Sequence, residues 1–152
     1  MPMPPTVLVR LIRISAFGLG NFFEPVFRAL ETSENEFHVM CLLVSTDHGR
    51  AAPSELSELV GTSRANMTRI LDSMLSAGWV SRSVDARDGR RQIICITPAG
   101  RAKVQEVVPR MIEPLNRAFS GLSPGELETL NKLLRKAIVS FDQGARAMSA
   151  AA

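Results

Sequence analysis

Apolar residues recur along most of this chain at the three- and four-residue spacing of α-helices. Between about residues 6 and 30 they cover so much of the circumference that we predict a helix buried on more than one side, as at a subunit interface. Shorter apolar stripes predict further helices over about residues 34–46, 53–60, 64–77, 98–119 and 124–143. We expect the residues from 144 onward to form a frayed tail.

Polar residues mark where several of these helices begin. Two pairs have the spacing of a capping box, in which each side chain bonds the backbone amide of the other residue: Ser33 with Glu36, and Ser123 with Glu126. Ser63 is placed to cap the helix that follows it. Gly61, just before this cap, predicts a tight turn between two neighbouring helices.

Two short runs break the helical period. Residues 79–82 and 93–96 are β-prone, and the polar, charged segment 85–91 between them contains a glycine. This pattern predicts a β-hairpin with a charged tip. The predicted fold class is therefore mainly α with one small β-hairpin.

Composition and charge narrow the class of protein. The 152 residues are 45% hydrophobic, which fits a folded domain rather than a disordered chain. The net charge is +3, and residues 61–91 hold six arginines against three acidic residues, so the whole excess lies in this segment. An arginine-only basic patch suggests a polyanionic partner because guanidinium pairs well with phosphate. A solvated charged face is the alternative.

The sequence also bears on compartment and on catalysis. It has no run near the ~20 uninterrupted apolar residues of a membrane span and no secretory signal pattern. The two cysteines, Cys41 and Cys95, do not make a disulfide framework, so we expect a cytoplasmic protein without a membrane partner. With two histidines and no Ser-His-Asp order or Gly-rich phosphate loop, the sequence argues against an enzyme.

The order of the predicted elements is that of a winged helix-turn-helix. A short helix, a glycine turn and a second helix with exposed Ser, Asn and Arg side chains are followed by the arginine-tipped hairpin, or wing. Such a second helix fits the major groove of double-stranded DNA and presents donors to base edges. The wing can place an arginine in the narrow, electronegative minor groove.

From about residue 8 to residue 141 the chain resembles the MarR family of bacterial transcription regulators. Five motifs carry the resemblance: Glu-Leu-Ser-Glu-Leu at 55–59, Ser-Arg-Ala-Asn-Met-Thr-Arg at 63–69, Gly-Trp-Val-Ser-Arg at 78–82, Asp-Ala-Arg-Asp-Gly-Arg-Arg at 85–91 and Ile-Thr-Pro-Ala-Gly at 96–100. It implies a homodimer that reads a pseudopalindromic operator, with a winged lobe at about 36–97 and dimerisation helices at about 6–31 and 98–143. In many members it also implies a small-ligand pocket between the dimerisation region and each lobe.

Residue roles follow from the same resemblance. It assigns residues 63–69 to the major groove and Arg90 to the minor groove, with Asp88 bracing the wing. The predicted DNA-binding residues are Ser63, Arg64, Asn66, Met67, Arg69, Arg87, Arg90 and Arg91. Gly89 stands where many members have a basic residue, so we expect a more mobile wing tip or fewer phosphate contacts.

A ligand site is predicted separately. Arg10 and Arg13 interrupt the apolar first helix three residues apart and so share one face. In the architecture that the resemblance implies, that helix and the one carrying His38 border the ligand pocket. These side chains suit a small aromatic carboxylate or phenolate, which has a flat apolar body and one anionic handle. The alternative is that both arginines form interface ion pairs or face water.

Together these observations predict a homodimeric repressor that leaves its operator when it binds a small anionic aromatic effector. The alternatives are a redox sensor using Cys41, a ligand-independent regulator, and a protein-interaction module that does not bind DNA. His38 and Cys41 are three apart but lack an acidic partner, so we predict neither a metal site nor a cofactor.

Overall fold

The structure, a computed structural model, describes residues 4–46, 48–85 and 88–150, and most of these residues are helical, as predicted. The elements in chain order are α1 (Pro5–Ala29), α2 (Glu34–Ser45), β1 (Arg50–Ala51), α3 (Pro53–Val60), α4 (Arg64–Ser76), β2 (Val80–Val84), β3 (Gln92–Ile96), α5 (Pro98–Ala118) and α6 (Pro124–Ala150). The described residues up to Pro114 form one compact unit, and those from Leu115 onward form a second. The fold is mainly α with a small β wing, as the sequence predicts.

The sheet contains one strand more than the sequence indicates. β2 and β3 pair antiparallel as the expected hairpin, with Val80 opposite Ile96 and Val84 opposite Gln92. β1 adds to the free edge of β3, with Arg50 opposite Cys95, so the strand order is β1-β3-β2. A two-residue strand shows no alternation in the sequence, and only pairing with β3 defines it.

The core of the first unit lies between α2, α3, α4 and the sheet. Ten buried apolar side chains form it: Val39, Met40, Leu43, Leu56, Met67, Ile70, Leu71, Met74, Val80 and Ile94. Four of them come from α4 at the predicted three- and four-residue spacing. Because α4 buries this stripe, its opposite face is left to solvent.

The predicted helix starts are confirmed. Ser33 accepts from the amide of Glu36 and Glu36 accepts from the amide of Ser33, which completes the capping box of α2. The same exchange between Ser123 and Glu126 opens α6. The backbone and hydroxyl donors of Ser123 lower the pKa of Glu126, so this capping contribution is present above the ordinary pKa of a glutamate and is lost as the pH falls through the lowered value.

Helix α1 is largely exposed in a single chain, so its predicted burial at a subunit interface stays a prediction. In a single chain only Phe23 and Phe27 of α1 are buried, and the preceding apolar residues face outward. Among the described residues α1 is the helix whose length and composition would allow it to cross a membrane, a test that buried helices of water-soluble proteins also pass. Exposed apolar surface of this kind is typical of an interaction surface.

The unit from Leu115 onward contains the last turn of α5 and the whole of α6. The expectation of a frayed tail from residue 144 is wrong, because α6 continues to Ala150. No described residue of α6 is buried. A groove of about 770 Å³ runs along it, lined mainly by apolar side chains: Phe119, Leu127, Leu130, Asn131, Leu134, Arg135, Ile138 and Val139.

The ends of the wing meet at one junction beside the start of α5. Thr97 donates its amide to the carbonyl of Trp79 at 3.0 Å and its hydroxyl to the carbonyl of Gly78 at 2.7 Å. The same hydroxyl accepts from the amide of Gly100 at 3.1 Å, so Thr97 also caps α5. A Cβ on Gly100 would overlap the carbonyl oxygen of Trp79, so only glycine allows this approach.

We therefore expect Gly100→Ala to lower the free energy of unfolding by about 1–3 kcal/mol, because backbone atoms must move to admit the methyl group. Gly144→Ala is the matched control, since a Cβ at that helical position meets open space. It should raise stability by about 0.5–1 kcal/mol. Urea unfolding at a fixed protein concentration measures both, and equal stability of the two variants would contradict the junction.

Candidate nucleic-acid interface

The interface begins at the amino-terminal end of α4. Gly61 adopts a left-handed conformation with φ of 74°, which lets the chain turn sharply between α3 and α4. Ser63 then caps α4 by accepting from the amide of Asn66 at 3.1 Å. The side-chain amide of Asn66 donates to the hydroxyl of Thr62 at 2.8 Å, which leaves its carbonyl oxygen and one N–H for other contacts.

Two arginines project from the exposed face of α4. Arg64 and Arg69 are exposed, and neither guanidinium has a hydrogen-bond or ion-pair partner among the described residues. Each presents five donors in a planar fork, which matches the acceptor edge of guanine and the oxygens of phosphate. The face is therefore chemically suited to a polyanion.

Met67 is a correction to the predicted set. The family motif at residues 63–69 places it among the DNA-binding residues, but its side chain is 1% exposed and belongs to the core. A helix that buries one stripe cannot present every residue of a seven-residue segment to a partner. The apolar spacing with Ile70 and Met74 already places Met67 on the inner face.

The wing tip is held by backbone and side-chain bonds around Asp88. The amide of Arg90 donates to the Asp88 carboxylate at 3.1 Å, and the amide of Arg91 donates to its carbonyl at 2.9 Å. The amide of Asp85 donates in turn to the carbonyl of Arg91 at 2.9 Å. The side chain of Arg90 is exposed, without a partner among the described residues. Arg87 lies outside the residues that the structure describes.

Two ion pairs attach the wing to the helices beside it. Arg82 on β2 pairs with Asp72 on α4 at 2.7 Å, and Arg91 pairs with Glu55 on α3 at 3.2 Å. The other carboxylate oxygen of Glu55 accepts from the amide of Ala52 at 2.9 Å, so one side chain both caps α3 and holds the wing. All four charged groups are about half exposed, and such pairs contribute ~0–1 kcal/mol each. The two ion pairs therefore orient the wing and add little to the stability of the fold.

These two pairs are absent from the sequence-based expectations. In the sequence, Arg82 contributes to the charge excess and to the motif at 78–82, and Arg91 stands among the predicted DNA-binding residues. Asp72 and Glu55 lie 10 and 36 residues away from their partners, so no local pattern reveals them. The structure therefore divides the described arginines of this region into two braces, Arg82 and Arg91, and three unpaired groups on α4 and the wing tip.

The predicted ligand residues are not gathered into a site in the single chain. Arg10, Arg13 and His38 are all exposed, and the two arginines have no partner among the described residues. The His38 ring lies 6.2 Å from the ring of Phe37, between centroids. A polar cavity of about 510 Å³ beside the tip-side half of the wing strands has other walls, among them Arg50, Glu55 and Arg91. Within the described ranges no three or more His, Cys, Asp or Glu side chains are grouped to hold a metal ion.

Comparison with known proteins agrees with this geometry. The sequence model of the MarR family matches residues 32–91, which span α2 to the wing. The transcriptional repressor MprA of Escherichia coli K12 is 32% identical over 142 residues, covering 93% of this chain and 81% of that protein.

Two solved structures have the same fold. A mutant form of Escherichia coli MarR, complexed with operator DNA, gives a TM-score of 0.77 at 24% identity over 86% of this chain and 92% of that one. Bordetella bronchiseptica BpsR, described by its regulation of DNA binding by 6-hydroxynicotinic acid, gives a TM-score of 0.76 at 25% identity over 86% and 97%. The MprA relative is a transcriptional repressor, and both structures are described in connection with DNA binding.

The redox alternative depends on Cys41, and the structure makes a prediction about this thiol. Cys41 is half-buried on α2, and desolvation raises its pKa. Since the thiolate is the reactive form, we expect Cys41 to be alkylated by iodoacetamide at pH 8 more slowly in the folded protein than in urea. Peptide mass spectrometry separates it from Cys95. Faster labelling of folded Cys41 would favour redox sensing instead.

Proposed function

The chain belongs to the MarR family of DNA-binding transcription regulators, and we propose that it is a homodimeric repressor of a pseudopalindromic operator, released from DNA by a small aromatic acid. One observation carries the DNA-binding part. The three guanidiniums of Arg64, Arg69 and Arg90 are exposed and unpaired among the described residues, on the helix and the wing tip that follow one another in the chain. Such a protein acts in the cytoplasm, where its DNA lies.

In this proposal α4 reads bases and the wing holds the backbone and minor groove. Ser63, Asn66 and the two arginines of α4 contact the major groove. Arg90 enters the minor groove, with Asp88 bracing the tip turn through the bond to the Arg90 amide. Arg91 adds a phosphate contact through the exposed half of its side chain, and Arg87 is included on its place in the wing motif alone.

A second copy of the chain is proposed to cover the exposed apolar helices. Large apolar side chains on α1 and α6, such as Leu8, Leu11, Leu134 and Phe141, are 43–58% exposed in one chain. Patches of this kind on a water-soluble protein mark an interaction surface. In the family arrangement that the sequence resembles, the helices at about 6–31 and 98–143 join the two subunits, leaving one winged lobe on each side.

The DNA-binding proposal is tested by substitution. Arg64→Ala and Arg69→Ala should weaken operator binding and, where a base is contacted, lose about 1–3 kcal/mol of discrimination against a changed base pair. Arg90→Ala should weaken binding more evenly across sequences and reduce the salt slope by about 1. Fluorescence anisotropy with an operator selected by the purified protein, at several salt concentrations, measures both effects.

The control for this experiment is Arg110→Ala, which removes the same charge from the exposed surface of α5. It should leave affinity and salt dependence nearly unchanged.

All variants should sediment as the same dimer; a stable, folded wild-type monomer at micromolar concentration would contradict the dimer. Unchanged binding by Arg90→Ala would contradict the role of the wing.

The effector part of the proposal rests on Arg10, Arg13 and His38. All three are exposed in a single chain and lie on the two helices expected to border the ligand pocket. The BpsR relative is regulated by 6-hydroxynicotinic acid, a small aromatic acid of the predicted class. A ligand releases DNA only if it binds the DNA-incompetent arrangement of the lobes more tightly, and by linkage the operator must weaken the ligand equally.

We expect Arg13→Ala to leave operator affinity nearly intact but to raise the concentration of hydroxylated benzoic and pyridine carboxylic acids needed to release DNA. His38→Ala should have the same effect to a smaller degree. Titrating preformed operator complexes with each acid gives the concentration for half release. Arg28→Ala is the control, because this exposed arginine on the same helix is paired with Glu24. Equal release by wild type and Arg13→Ala would remove Arg13 from the site, and no release by any acid would favour a redox or ligand-independent regulator.

A further inference from the structure

Among the described residues of the first unit, one carboxylate is buried, that of Glu36 at the start of α2. Glu36 as a whole residue is 9% exposed to solvent. Glutamate is rarely buried unless its charge is paired or hydrogen-bonded, because desolvation of a carboxylate is costly. The partners of Glu36 are all neutral donors, so this group is held in place by hydrogen bonds alone among the described residues.

The two oxygens of Glu36 serve different elements. Oε2 accepts from the amide of Ser33 at 2.8 Å and from the hydroxyl of Thr32 at 3.3 Å, both in the corner between α1 and α2. Oε1 accepts from the hydroxyl of Ser73 at 2.6 Å, a residue 37 positions away in the last turns of α4. The short distance is that of a charge-assisted hydrogen bond. Helix capping needs only Oε2, so the bond to Ser73 is additional.

The bond between Glu36 and Ser73 lies between two helices with different proposed roles. The Thr32–Ser33 corner directly follows α1, the proposed dimerisation helix, and Ser73 lies on α4, the proposed recognition helix. Glu36 therefore links the corner that follows α1 to the last turns of α4 through hydrogen bonds on a single buried side chain. Apolar packing between α2 and α4 allows small sliding, whereas a directional hydrogen bond does not.

We propose that Glu36 is a positioning residue for DNA recognition: its bond to Ser73 sets the angle of α4 relative to the α1–α2 corner, and so determines which half-site spacing the dimer accepts. This inference rests on the proposed function. In a dimer built on α1, the two recognition helices must enter successive major grooves about 34–36 Å apart, so a loosened α4 tolerates other spacings.

The test uses Ser73→Ala, which removes only the hydroxyl through which α4 reaches Glu36 and leaves the capping box of α2 intact. Thr32→Val is the matched control, since it removes a hydroxyl from the same carboxylate without touching α4. Operator duplexes with the selected spacing, and with one base pair added or removed between half-sites, are compared by competition binding. The ratio of affinities for the selected and the altered spacing should fall about three- to tenfold in Ser73→Ala and stay constant in Thr32→Val.

Two further measurements distinguish a positioning role of the bond between Glu36 and Ser73 from a general loss of stability. Ser73→Thr retains a hydroxyl and should restore the spacing preference, while the salt slope should be the same in all variants because phosphate contacts are unchanged. An unaltered spacing ratio in Ser73→Ala, or an equal loss for all duplexes together with a lower melting temperature, would overturn the inference. Failure of the wild type to bind any specific duplex would instead overturn the proposed function.

Discussion

The junction at Thr97 is the contact that gives the wing its direction. A two-stranded hairpin is marginal by itself, and this one is closed at its base by bonds from a single threonine to the carbonyls of Gly78 and Trp79. Because Gly100 has no side chain, α5 starts directly against the same carbonyl. The turn after α4, both wing strands and α5 thus share one anchor, so the wing has a defined direction relative to the helix beside it.

The arginines of α4 and the wing have two different roles. Arg82 and Arg91 face carboxylates on α4 and α3, and their half-exposed ion pairs orient the wing. Arg64, Arg69 and Arg90 have no such neighbour among the described residues and keep their donors available. A guanidinium that is already paired has less to gain from phosphate, so in the proposed interface the unpaired arginines gain most from contact with DNA.

The exposed apolar helices and the buried Glu36 both bear on the distance between the two recognition helices of the proposed dimer. A regulator that reads two half-sites must hold two recognition helices at a fixed separation, and that separation is set through every contact between the subunit interface and α4. In the dimer that we propose, the apolar surface on α1 and α6 drives association without fixing its direction. The hydrogen bond from Ser73 to Glu36 supplies direction at the corner where α1 ends.

Local patterns in the amino-acid sequence were enough to predict the helices, their caps, the wing hairpin and the stripe of α4 that enters the core, because each depends on residues within a few positions of one another. They also indicated which polar residues of α4 face outward, but position in a family motif wrongly added Met67, whose burial follows from the stripe. The strand β1, the two wing ion pairs and the bond between Glu36 and Ser73 emerged only in three dimensions. These join residues up to 45 positions apart, Arg50 with Cys95 being the farthest, and such contacts arise from how the elements pack rather than from any local pattern.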